Sequence, residues 1–311
     1  MSNNDKFFLG LDIGASSIKY GWGNCQFGLH HYSKCEFSDK SIAAFRDAVY
    51  HILNEARQSG FWNQFAGIGI GTPGTLDLQT GRIAGVNPNL PFWTDIDPRT
   101  LIPADLRLPV FADNDANLMC LAESWMRGST ELTVGVTVGS GIGCGMVQHG
   151  RVFRGEHGYA MELGHITVIP GGVKCTCGRE GCVEAYASVD GIRNRLRRLG
   201  GVESAWSDLS LQEILCQKNE HPTLAKIMHE GCLSLCRGLA CLIVLVDPAV
   251  IVLGGGAMDA GLYDLETVKA TVSELLPHAN QGKLRVEKAL EGNRAGVLGA
   301  VILADNMLAP E

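Results

Sequence analysis

The chain has 311 residues, 46% of them hydrophobic and 19% charged, which excludes a disordered or fibrous protein and suggests about two domains or one large one. Lys and Arg number 26 against 33 Asp and Glu, so the formal net charge of −7 gives no general electrostatic reason to bind nucleic acid or an anionic membrane. Residues 1–6 are polar and Asp12 breaks the apolar run that follows, so no secretory leader is expected. No uninterrupted apolar run reaches the roughly 18 residues of a membrane span; the longest lies near 239–246. The 11 cysteines are therefore expected as thiols or metal ligands in a reducing, cytoplasmic setting, not as a disulfide framework.

Taken in chain order, residues 7–13 read as a buried strand, Gly14-Ala15-Ser16-Ser17 as a turn and 18–22 as a returning strand. Residues 41–57 have helical periodicity, with Ile42, Phe45, Val49 and Leu53 on one stripe. A short strand over 66–70 runs into the loop Gly71-Thr72-Pro73-Gly74, and 82–109, rich in Pro and Asn, predicts irregular structure. A brief strand over 110–112 leads to Asp113 and Asn114, both good cap residues. Leu118, Leu121, Ala122, Trp125 and Met126 then form an apolar helical stripe that should stop near Gly128. Residues 132–138 predict a strand followed by Gly139-Ser140-Gly141-Ile142-Gly143. A long, mostly buried helix is expected over 223–246, stopped by Asp247-Pro248. A strand over 250–253 ends at Gly254-Gly255-Gly256, and a last helix covers 295–307.

One internal repeat stands out. Residues 9–15 align with 134–140 at a constant offset, and both segments read as strand, small-residue turn, strand. Backbone N–H groups in such turns make anion-binding concavities, so two of them suit a polyanion gripped from both sides. Either turn alone could equally be an ordinary hairpin bend.

Four groups of residues carry possible chemistry. The strongest is His165 with Cys175, Cys177 and Cys182, whose spacing matches a closed, tetrahedral Cys3His zinc site with no position left for a catalytic water. Asp115, in the run Asn114-Asp115-Ala116-Asn117, falls in the first turn of a helix just after a strand. Amide dipoles there favour an ionised carboxylate, which suits a general base, although helix capping would need the same residues. Glu162 and Glu184 bracket the cysteine loop and could accept hydrogen bonds from a polyol or support the metal ligands. Gly254-Gly255-Gly256 follows a hydrophobic strand, as ligand loops in α/β sheets do, but also as any tight turn does. The remaining cysteines, including Cys232, Cys236 and Cys241, read as small buried hydrophobes.

Together these motifs resemble the ROK family of bacterial sugar kinases and related repressors. The resemblance covers nearly the whole chain. It rests on Asp12-Ile13-Gly14, Asn114-Asp115-Ala116-Asn117, Gly139-Ser140-Gly141-Ile142-Gly143, Glu162-Leu163-Gly164-His165, the cysteine run ending at Glu184, and Gly254-Gly255-Gly256. It implies an α/β, two-lobed actin/hexokinase-like fold (a duplicated ribonuclease H-like plan) with an interlobe cleft. The smaller lobe would be residues 1–112, with a C-terminal helix at about 295–311 packing back on it, and the larger lobe 113–294.

The resemblance further implies ATP-dependent phosphorylation of a hexose hydroxyl, the 6-hydroxyl by expectation, with Asp115 as base. Gly74, Asn89, Asn114, Glu162, His165 and Glu184 would line the sugar, with His165 also on zinc. Asp12, Gly14, Ser16 and Lys19 on one side, and Thr137, Gly139 and Ser140 on the other, would face the phosphates and Mg²⁺, with Gly254, Gly255 and Gly256 against the nucleoside. A homodimer is the family expectation. Three positions depart from the family's usual pattern: the first turn lacks its usual Gly-Gly-Thr-Lys, Ser140 stands for Thr, and Met161 stands for Gly beside Glu162. An N-acetylmannosamine or N-acetylglucosamine kinase is the near alternative. A sugar-sensing regulator is more distant, because only six residues precede the first strand and leave no room for a helix-turn-helix module.

Overall fold

The computed structural model describes residues 6–37, 39–85, 90–218, 220–278 and 284–309. The chain forms two compact units. The first comprises Met1–Gly128, Gly150–Ala160 and Arg294–Glu311, and the second Ser129–His149 and Met161–Asn293. The sequence expectation placed the division after residue 112. The helix that follows residue 114 instead stays with the first unit, because it packs on the C-terminal helix there.

In the first unit the strands are β1 (Phe7–Ile13), β2 (Ser17–Asn24), β3 (Gly28–Glu36), β4 (Phe65–Thr72) and β7 (Val110–Asn114). They form one sheet in the order β3-β2-β1-β4-β7. The first three are antiparallel neighbours, while β4 and β7 run parallel to β1. A two-stranded ribbon, β5 (Thr75–Leu76) with β6 (Ile83–Ala84), follows β4, and β10 (Arg151–Val152) opens the later excursion into this unit. Between 90 and 106 the irregular stretch winds into three short 3₁₀ turns.

Helix α1 (Ile42–Gln58) starts at Ser41, whose hydroxyl accepts from the N–H of Ala44, and buries Phe45, Val49, Ile52 and Leu53. Helix α2 (Asp115–Met126) follows β7 directly, and α9 (Ala295–Leu308) packs against both α2 and the sheet. The sheet admits α9 closely only because it is glycine where they touch. A Cβ at Gly10 or Gly69 would strike the carbonyl oxygens of Val297 and Ala300.

The second unit repeats the plan. Its strands β8 (Thr133–Val138), β9 (Ile142–Gln148), β11 (Val250–Gly254) and β12 (Arg285–Lys288) belong to a five-stranded sheet in the order β10-β9-β8-β11-β12. Again a hairpin, β8–β9, carries two parallel strands beside its first member. Its helices are α3 (Val183–Ala187), α4 (Val189–Leu199), α5 (Leu211–Gln217), α6 (Pro222–Val246), α7 (Gly256–Asp259) and α8 (Leu265–Leu275). Ser188 caps α4, and Ser210 with Glu213 makes a capping box on α5.

Among the described residues α6 alone is long and apolar enough to cross a membrane, with a mean hydropathy of 1.6. The sequence reading found no such run because Glu230 and Arg237 interrupt it. In the fold Leu235, Leu239 and Ile243 of α6 are core residues, packed in one cluster with Val136, Ile251 and Val272. The mixed α/β architecture, one sheet-and-helix plan used twice, agrees with the fold that the resemblance implies.

Candidate active site

In the first unit the site residues gather at the carboxyl ends of parallel strands, where loops leave a sheet and ligands bind in open α/β folds. Register sets Asp12 of β1 beside Gly71 of β4, and Gly71 beside Asp113 of β7, with Thr72 beside Asn114. Across the hairpin Asp12 pairs with Lys19, and the ammonium lies 3.2 Å from the Asp12 carboxylate. Burial pushes the Asp12 carboxyl above its ordinary range, with Lys19 opposing. Gly296 of α9 leaves room for that carboxyl, since a Cβ there would lie 2.7 Å from it.

Asp115 is the first residue of α2 and Asn114 its N-cap. The Asn114 amide oxygen accepts from the N–H groups of Ala116 (2.9 Å) and Asn117 (3.3 Å), while its NH₂ donates to the Gly74 carbonyl at 3.1 Å. The helix start and the loop after β4 are thereby tied together. Gly74 itself has φ 88°, a left-handed conformation that favours glycine. Trp93 Nε1–H, fully buried, donates to Thr72 Oγ1 at 2.7 Å and fixes the other end of that loop.

The Asp115 carboxyl is pushed up to about 7, first by desolvation and second by the nearby Asp12 charge, against the N–H of Ala116 at 2.8 Å. A carboxyl poised near neutrality can take a proton from an alcohol and later release it. Asn89 lies outside the described residues. Ser16 is exposed in the first turn, where the Gly14 N–H closes on the Ser17 carbonyl at 2.9 Å.

In the second unit the matching turn is one residue shorter and closes with the Gly139 N–H on the Gly141 carbonyl at 2.9 Å. Thr137 is beside Gly254 in register, so the turn and the triple glycine share one corner. Gly255 has φ 95°, and a Cβ there would meet the Val138 carbonyl oxygen at 2.5 Å. Ser140 and Gly139 accept from the first N–H groups of α4, Asp190 at 3.3 Å and Val189 at 2.9 Å, so the helix start steadies the turn.

His165, Cys175, Cys177 and Cys182 present ligand atoms within 4.8 Å of one another. The sulfurs of Cys177 and Cys182 are 3.7 Å apart, and Cys175 Sγ is 3.8 Å from His165 Nδ1. A tetrahedral zinc with bonds of about 2.3 Å to sulfur sets its ligand sulfurs about 3.8 Å apart, so this donor set fits the ion. His165 turns its other nitrogen, Nε2, toward Glu162 at 4.0 Å. Arg179 donates to the His165 carbonyl at 2.6 Å and holds the loop on the histidine.

Both carboxylate oxygens of Glu184 accept hydrogen bonds within this unit, one of them from the cysteine loop. One oxygen accepts the N–H of Ile142 at 3.0 Å and the other the Thr176 hydroxyl at 3.4 Å. Met161, just before Glu162, has φ 66°, the left-handed region that suits the glycine usual there.

Sequence reasoning missed several supporting residues. Arg154 forms an ion pair with the buried Asp113, and Gly296 and Trp93 stand behind Asp12 and Thr72. Their partners are far off in sequence, and no local spacing signals them.

The ROK family model matches residues 8–307. A glucokinase from Halalkalibacterium halodurans is 30% identical over 95% of this chain and 94% of its own. The crystal structure of a ROK hexokinase from Thermus thermophilus superposes with a TM-score of 0.79 at 30% identity, covering 97% of this chain and 99% of that one. A ROK glucokinase from Streptomyces griseus in complex with glucose and AMPPNP gives 0.78 at 26% identity, covering 96% and 99%. Relatives also include a xylose repressor of Caldicellulosiruptor bescii (29% identical, 97% of this chain and 79% of its own). An N-acetyl-D-glucosamine kinase of Salmonella typhimurium is 28% identical over 95% of this chain and 98% of its own. The chain belongs to the ROK family.

Proposed function

We propose that this chain is an ATP-dependent sugar kinase that transfers the γ-phosphoryl group to a hexose hydroxyl, the 6-hydroxyl of a glucose-like substrate. The observation that carries the reading is Asp115, set at the start of α2, with its carboxyl raised to about 7 among Asp12, Lys19 and the capping amides. The named relatives and the glucose and AMPPNP complex of a structural neighbour support it.

Asp115 takes the proton of the attacking hydroxyl as the oxygen closes on the γ-phosphorus. The hydroxyl gains a phosphate ester bond, ADP leaves with the electron pair of the broken P–O bond, and Asp115 later gives the proton to solvent. Phosphoryl transfer asks little covalent chemistry of a protein; it asks for alignment and neutralised charge. Gly74, Asn89, Asn114, Glu162, His165 and Glu184 are proposed to hold the sugar. Gly14, Ser16, Lys19, Thr137, Gly139 and Ser140 are proposed to face the phosphates, and Gly254 to Gly256 the nucleoside. Mg²⁺ brought with ATP would neutralise phosphate charge, with Asp12 the carboxylate proposed to face it. Zn²⁺ on His165, Cys175, Cys177 and Cys182 would be structural, stiffening the loop that presents His165 to the sugar. A homodimer in a reducing, cytoplasmic setting completes the proposal; all eleven cysteines are free thiols in the structure.

The test is an ATP-coupled assay of the purified chain over glucose, mannose, fructose, allose and the N-acetylhexosamines. Turnover on a plain hexose is expected. Turnover confined to N-acetylmannosamine or N-acetylglucosamine would move the assignment to the amino-sugar kinases. A blank panel would overturn the kinase reading in favour of sugar sensing.

A further inference from the structure

Residues 150–160 leave the second unit's stretch of sequence and lie in the first unit. Four contacts place them there. Asn306 donates to the Gly150 carbonyl (3.3 Å), the Leu78 N–H to the His157 carbonyl (3.1 Å), and the Tyr159 hydroxyl to Asp77 (2.6 Å). The fourth contact is of another kind. Arg154 sends its Nε–H, at 2.7 Å, and its Nη2, at 2.6 Å, to Oδ2 of Asp113, whose residue is only 3% exposed.

The other oxygen of Asp113 is taken as well. Oδ1 accepts the N–H of Asn114 at 2.8 Å and the side-chain amide of Asn117 at 2.9 Å. All four contacts of this carboxylate are thus donors, and those on Oδ1 belong to the helix cap and first turn of α2. That turn carries Asn114, which holds the Gly74 carbonyl, and Asp115. A buried carboxylate keeps such geometry only while a cation matches it; unpaired, it must move toward water or take up a proton.

We propose that Arg154 is a positioning residue for phosphoryl transfer: through the Asp113 carboxylate it fixes the first turn of α2 and so the aim of Asp115 at the acceptor hydroxyl. This rests on the reading of Asp115 as base. Arg154 touches neither substrate nor the reacting atoms. The planar guanidinium matters, since one ammonium cannot supply two adjacent donors in a fixed fork. The segment has three further anchors, so the loss of Arg154 alone leaves it attached.

The experiment compares the wild-type chain with Arg154→Met, Arg154→Lys, Asp113→Asn and the Arg154→Met/Asp113→Asn double variant, on the best sugar of the panel. The expected result is a kcat at least tenfold lower for Arg154→Met, with KM for ATP within twofold and a melting transition still present. Arg154→Lys shows a similar loss of kcat and serves in its place where the methionine variant does not fold. The double variant is no slower than the slower single one, because both changes break one linkage. Arg154→Met or Arg154→Lys at full kcat, or losses that multiply in the double variant, would overturn the role given to Arg154. A wild-type chain silent on every sugar would instead overturn the kinase reading itself.

Discussion

Asp115→Asn removes a group that the fold holds in an unfavourable state, so it should change stability and turnover in opposite directions. In the unfolded chain the carboxyl titrates near 3.8; folded, desolvation and then Asp12 raise it to about 7. Between those values the unfolded chain has released the proton while the folded protein keeps it. Stability from this group is therefore fully present below pH 3.8, falls as pH rises, and is lost above 7. Each unit is worth about 1.4 kcal/mol, which caps the loss at about 4 kcal/mol. The side chain keeps part of its water, so about 1–3 kcal/mol is expected. Asn is isosteric and uncharged, and should recover that amount at pH 8 while gaining little at pH 4. Urea unfolding of both proteins at the two pH values measures it. Turnover should drop by about 10²–10⁴, the usual worth of a general base. An Asp115→Asn protein no more stable than wild type at pH 8, or one with near-normal kcat, refutes the reasoning.

The same raised carboxyl predicts that kcat/KM climbs with pH through about 7 and then levels; a rate flat from pH 5 to 8 would exclude Asp115 as the titrating base. Gly255→Ala puts a Cβ 2.5 Å from the Val138 carbonyl at φ 95°, so urea unfolding should show a loss of about 1–3 kcal/mol and ATP should bind more weakly. An unchanged midpoint would show that the corner is not tight. Metal analysis should find close to one zinc per chain, lost in Cys182→Ser with a lower melting temperature. Folded, zinc-free protein prepared without chelator would rule out the Cys3His site.

Long apolar patterns were legible in the sequence. β1, α2, α6 and α9 bury continuous or striped hydrophobic faces, and their expected limits lie within a few residues of those seen. The repeat at residues 9–15 and 134–140 is two hairpins in matching sheet positions. What local pattern could not show was structure stabilised from elsewhere. β3 reads Gly-Leu-His-His-Tyr-Ser-Lys-Cys-Glu, a mostly half-exposed edge strand with little apolar signal. α8 buries only Val268 and Val272. In the site, Asp113 looked like one more cap residue. The cap is Asn114, and Asp113 is a buried anchor whose cation comes from 41 residues away. A motif gives residue order, whereas an ion pair of that span depends on how the sheet brings the chain back.

Glu184 accepts hydrogen bonds from Ile142, just past the second glycine turn, and from Thr176 inside the cysteine loop. A single side chain thus couples the cysteine loop to the glycine turn after β8. Under the proposed roles, loosening the cysteines should accordingly be felt at ATP as well as at the sugar, even though none of the four proposed zinc ligands is assigned to the nucleotide.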